Sequence, residues 1–173
     1  MRGAQLRWMG LAVILGFSTG VLAQTKTTET KKTESKPASA KTESAAVLKY
    51  VATDDAPKAI GPYSQGVVAG GFLFCAGQIP LDPKTGELVT GGIEPATERI
   101  LDNLEAVLKA EGLSFAAVVK TTVFLTKSED FQPMNAVYGR RMGDSKPARS
   151  TVFVAGLPRN SPIEIEMIAR AKR

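Results

Sequence analysis

The chain has 173 residues and 43% apolar content, enough for one globular domain with a core, and carries a formal charge of +5. Basic against acidic residues stand at 2 to 0 in residues 1–23, 6 to 3 in residues 24–49 and 14 to 14 in residues 50–173, so the folding part is neutral and lacks the concentrated basic face that nucleic-acid binding needs. With no histidine and one cysteine, Cys75, an intrachain disulfide, the usual zinc ligand sets and any Ser-His-Asp or Cys-His pair are excluded. No metal or cofactor is expected, and chemistry must rest on Arg, Lys, carboxylates, hydroxyls, backbone groups and water.

In chain order, residues 1–23 place arginines at 2 and 7, then the apolar run Trp8–Phe17, then "VLA" before Gln24. That three-part pattern predicts a secretory signal peptide cleaved after Ala23, and the run falls short of the roughly 20 residues a membrane span needs. A periplasmic or secreted protein is expected, without membrane attachment once the signal is removed; a cytoplasmic location is the alternative. Residues 24–49, rich in Thr, Lys, Glu, Ser and Ala, hold too little apolar surface to offset ordering entropy and read as a disordered tether. The folded domain, 50–173, is expected to begin near Tyr50.

"SQGVVAGGFLFCAGQ" (64–78) predicts a hairpin about Gly70-Gly71, and "DPKTGE" (82–87) a polar turn. Ile100, Leu101, Leu104, Val107 and Leu108 fall on one face of a helix over 94–111, with Pro95 in its first turn and Gly112 at its stop. "VVKTTVFLT" (118–126) predicts a strand. A second helix over 130–142 turns Phe131, Met134, Val137 and Tyr138 inward, and Pro133 fits if that helix starts near Asp130. Two strands, 150–154 and 163–169, close the chain. The order predicts an α+β fold with two helices on one face of a sheet. "FLFCA" is continuously apolar and Ile168 shares a strand face with Glu164 and Glu166, so the uncovered face is expected to be buried against other subunits.

"IGPYSQGV", "CAGQIPLDPKTGE", "LDNLEAVLKAEG", "VVKTTVFLT" and "PARSTVFVAGLPRNSPIEIEMIA" together closely resemble the Rid family of reactive-intermediate deaminases, also called the YjgF family, over about residues 50–171. The resemblance implies a chorismate-mutase-like subunit with a mixed β-sheet, assembled as a homotrimer with active sites in the clefts between subunits. It implies hydrolysis of enamines and imines such as 2-aminoacrylate and 2-iminopropanoate to the 2-keto acid and ammonia, without metal. Other members are associated with RNA cleavage or suppressed translation.

Carried over by motif, Arg149 of "PARS" is the ligand of the substrate carboxylate, for which its planar fork is suited, and Glu164 of "IEIE" handles the attacking water and the protons. Tyr63 of "IGPY" joins them as a catalytic residue, and Gly77 of "CAGQ", Asn135 and Thr151 line the substrate. Thr151 stands where many bacterial members have cysteine, Ala76 where serine is common, and the connection into "PARS" is about three residues shorter. From the residues alone, Arg149 and Glu164 could equally form a structural salt bridge, and Cys75 reads as a buried small hydrophobe. A trimer that binds a small acid or a protein client without turnover is the alternative function.

Overall fold

The computed structural model describes residues 47–171. The expected signal peptide and most of the tether lie outside the described residues. Eight elements follow in order: β1 (Lys49–Val51), β2 (Gly66–Ala69), β3 (Phe72–Gln78), α1 (Ile93–Ala110), β4 (Val118–Leu125), α2 (Phe131–Met142), β5 (Ala148–Phe153) and β6 (Ile163–Arg170). Single 3-10 turns precede β4, α2 and β6. No helix among the described residues is long and apolar enough to cross a membrane.

One six-stranded sheet runs β1-β2-β3-β6-β4-β5. Every pairing is antiparallel except β4 with β5, which are parallel because α2 carries the chain back across the sheet between them. The mixed sheet with two helices is thus as expected, with one correction. The strands expected from the sequence start at β2, whereas β1 pairs Tyr50 with Val67 and Val51 with Gly66. Three residues are too few to show a period, so this strand had no signal of its own. Gly70 and Gly71 both sit at positive φ (56° and 82°), as a two-residue turn between right-twisted strands requires.

Alternation decides which side chains meet the helices. Along β6, Ile163, Ile165, Met167 and Ala169 are buried, as are Leu73 and Cys75 of β3 and Thr121, Val123 and Leu125 of β4. They pack under Ile100, Leu101, Leu104, Val107 and Leu108 of α1 and under Met134, Val137, Tyr138 and Met142 of α2. Each such aliphatic contributes about 1.5–3 kcal/mol on leaving water, so Leu104→Ala alone is expected to cost about 2–5 kcal/mol. Pro133 is the third residue of α2, where a missing N–H breaks no helical bond. Arg141 of α2 reaches across to Glu98 (2.6 Å), Asp102 (2.8 Å) and Glu105 (3.4 Å) of α1 and ties the helices at the surface.

Among the described residues the opposite face carries no helix. Tyr50, Val67, Phe74, Ile168, Phe124 and Val152 share it by register, in the company of Glu164 and Glu166. Phe74 is 44% exposed and Val152 42% exposed on it.

Candidate functional site

Register places the predicted residues on two different faces. Arg149 of β5 lies opposite Thr121 of β4, which is fully buried beneath α2, so Arg149 belongs to the helix face. Glu164 of β6 lies opposite Phe124 and belongs to the open face. Within one protomer the two do not pair, and neither joins an ion pair among the described residues. The fold of a single chain therefore does not build that salt bridge.

Arg149 lines a recess of about 390 Å³ between the C-terminal half of α2 and the connection leading into β5. Asn135 and Tyr138 of α2, one turn apart, present to the same hollow, together with Ser145, Lys146 and Pro147. One Arg149 Nη donates to Asn135 Oδ1 at 2.7 Å, and the guanidinium carbon stands 4.7 Å from the centroid of the Tyr138 ring. The Tyr138 hydroxyl is in turn 2.9 Å from Thr121 Oγ1. Burial raises the Tyr138 phenol above its ordinary value, opposed by the Thr121 hydrogen bond and the Arg149 charge, so the ring under the cation is neutral. Among the described residues no carboxylate lines this recess, which leaves Arg149 with most of its five donors free for an anion. Thr151 follows on the same strand face, opposite Val123.

A second recess, of about 250 Å³, gathers Tyr63, Gly77 and Glu164. Glu164 is half-buried with no hydrogen-bond partner among the described residues. Burial first, and the negative charge of neighbouring Glu166 second, hold its carboxyl above the usual glutamate value. Gly77 lies where the register between β3 and β6 shifts, and a Cβ built there would sit 2.1 Å from Glu164 Oε1. Only glycine leaves this carboxylate its place.

Tyr63 is 51% exposed at the rim, its hydroxyl accepting the Ile60 N–H at 3.3 Å. Buried Gln65 anchors the start of that rim. Its Nε2 donates to Thr53, Ala56 and Pro57 carbonyls at 3.0, 3.1 and 2.8 Å, and its Oε1 accepts the Thr53 N–H at 2.6 Å. On the far rim Arg159, itself at φ 56°, donates to the Gly86 carbonyl at 2.7 Å and fastens the loop before β6 to the polar turn after β3.

The predicted residues thus fall into two groups: Arg149 and Asn135, with Thr151 beside them, and Tyr63, Gly77 and Glu164. Sequence reasoning missed Tyr138, Gln65 and Arg159. Tyr138 carried a signal, since it follows Asn135 by three residues on a helix, but its apolar spacing sent it to the core. Cys75 is buried and its thiol is pushed up to about 12, which makes it inert.

Comparisons with known proteins bear on this arrangement. The Endoribonuclease L-PSP family matches residues 53–171. A RutC family protein of Pyrococcus horikoshii is 54% identical over 119 residues, 69% of this chain and 94% of that one. A 2-iminobutanoate/2-iminopropanoate deaminase of Mus musculus is 45% identical over 126 residues, 73% of this chain and 93% of that one. Among solved structures, E. coli TdcF with bound serine superposes with a TM-score of 0.68 at 41% identity, covering 72% of this chain and 99% of that one.

Proposed function

Since the chain belongs to the Endoribonuclease L-PSP family, the YjgF or Rid family, we propose that it is a hydrolytic deaminase of 2-imino and 2-enamino acids, releasing the 2-keto acid and ammonia. The observation that carries this reading is that Arg149 and Glu164 each line a recess without an ion-pair partner among the described residues. An arginine with free donors and no carboxylate partner among the described residues suits a substrate carboxylate, and a half-buried glutamate with a raised pKa suits proton transfer.

Arg149 and Glu164 face opposite sides of one sheet, so a single copy does not close a site around one small acid. We take the assembly to be a homotrimer in which the Arg149 recess of one copy faces the Glu164 recess of the next. The exposed aromatic and aliphatic side chains of the open face favour that packing.

In such a cleft Arg149 grips the carboxylate through two parallel hydrogen bonds, with Asn135 and Thr151 flanking it. Water attacks the electrophilic iminium carbon as Glu164 takes its proton. Glu164 then returns that proton to the nitrogen, takes the hydroxyl proton as the C–N bond breaks and the carbonyl forms, and passes it to the departing ammonia, which leaves as ammonium. Tyr63 closes the rim and donates a hydrogen bond from its hydroxyl to the reacting group, and the Gly77 backbone lines the pocket wall. The iminium carbon is already electrophilic, so no covalent nucleophile is needed. The balanced charge of residues 50–173, 14 basic against 14 acidic, disfavours RNA as the substrate.

The direct test generates imines in place with an amino-acid oxidase and follows 2-keto acid or ammonia release over several side chains. Release accelerated by the protein supports the reading. Tight keto-acid binding with no acceleration would replace it with the binding-module alternative.

A further inference from the structure

We propose that Tyr138, braced from behind by Thr121, is a positioning residue that fixes the anion-binding face of Arg149; this rests on reading Arg149 as the carboxylate ligand. Arg149 projects from an edge strand, and a free arginine side chain there would lose close to two kcal/mol of rotamer entropy, about 30-fold in affinity, on gripping a ligand. Two groups remove that freedom beforehand. Asn135 holds one Nη at 2.7 Å, and the Tyr138 ring lies 4.7 Å from the guanidinium carbon. Asn135 takes one donor of five, while a ring beneath the cation takes none, so the stack restrains the guanidinium without using the edge that a carboxylate needs.

The ring itself is immobilised. Tyr138 is 5% exposed and Thr121 is fully buried, and the two hydroxyls, 2.9 Å apart, are each other's only side-chain partner among the described residues. Phenylalanine would fill the same core volume, so packing alone does not explain a hydroxyl at this place. The pair of hydroxyls sets the ring's position against the sheet, and the ring sets Arg149. The chain of contact runs from a fully buried strand residue, through a buried helix residue, to a half-buried cation at the recess.

The test measures product affinity (pyruvate as probe), KM and kcat for Tyr138→Leu, Tyr138→Phe, Arg149→Ala and the double variant Arg149→Ala with Tyr138→Leu. Tyr138→Leu is expected to raise KM and the product Kd by about 3- to 30-fold, with kcat changed less. Tyr138→Phe, which keeps the ring but loses the contact with Thr121, should recover only part of that loss, to the level of Thr121→Val. In the Arg149→Ala background Tyr138→Leu should add nothing, because its effect passes through Arg149.

An equal penalty in both backgrounds, or wild-type affinity in folded Tyr138→Leu, overturns the proposal. If Tyr138→Leu does not fold, Thr121→Val decides. It keeps the volume and frees the ring's hydroxyl, and a Kd unchanged from wild type would count against the brace. Weak pyruvate binding in Arg149→Ala beside normal binding in Tyr138→Leu removes the positioning role alone. Normal binding in Arg149→Ala removes the carboxylate reading and this inference with it.

Discussion

Glu164 joins two properties in one side chain. Its pKa is raised by burial and by Glu166, and a general base must be ionised to act. Turnover should therefore rise with pH through that elevated value and level off above it. Glu166→Gln removes the second cause, so the acid limb of the rate profile should move to lower pH; an unmoved limb would show that the limb belongs to another group. Stability carries the opposite sign. The folded chain holds this proton more tightly than the unfolded chain, so the contribution of Glu164 is most favourable at low pH and falls as pH rises from the ordinary glutamate value through the raised one. Glu164→Gln should then melt slightly higher than wild type at neutral pH while turnover falls on the order of 10²–10⁴-fold. At Gly77 a methyl group would meet Glu164 Oε1 at 2.1 Å, and a carboxylate at the end of a flexible side chain can swing away. Gly77→Ala should therefore fold and lose most of its turnover; near-normal rates would separate Gly77 from the chemistry. Arg149→Ala is expected to cost about 2–5 kcal/mol in transition-state binding, and Arg149→Lys to restore little of it, because a point charge does not reproduce the fork.

Among the elements, α1, α2 and the long strands were legible because their apolar residues repeat at 3.6 or 2 along enough chain to show a face. β1 was not, since three residues hold no period, and its place depends on partner atoms 15 to 19 residues away in β2. The loops that form the Glu164 recess were equally silent. Nothing in "ATDDAPK" shows that buried Gln65 will hold its backbone by four hydrogen bonds. Removing that side chain leaves several backbone groups unpaired, so Gln65→Leu should lower stability by about 2–4 kcal/mol and reduce turnover with Glu164 untouched. Thermal unfolding beside steady-state rates checks this, and wild-type melting would mean that water replaces the clamp at no cost. The residue types of the candidate site were readable from motifs, but their division between faces was not. It follows from the registers of β5 and β6 against β4, a tertiary choice that seats Arg149 over Thr121 and leaves Glu164 on the other side.

At the scale of the whole molecule, an apolar sheet face and two half-sites both ask for further copies. Export is a separate proposal carried by residues 1–23: the mature chain should begin at Gln24 outside the cytoplasm, which mass spectrometry of the native protein would show, and an intact Met1 in a cytosolic fraction would contradict. Assembly is checked by light scattering on the mature chain, where a stable monomer at micromolar concentration would remove the shared cleft. The central claim, a catalytic site split between neighbouring copies, has a sharper test. Arg149→Ala and Glu164→Gln are each expected to be inactive as homotrimers. Unfolded together and refolded as a one-to-one mixture, they should form trimers in which about a quarter of clefts unite an intact Arg149 from one copy with an intact Glu164 from the next, restoring about a quarter of wild-type turnover. If mixed trimers form and remain as inactive as their parents, Arg149 and Glu164 do not act across the interface, and the account is contradicted.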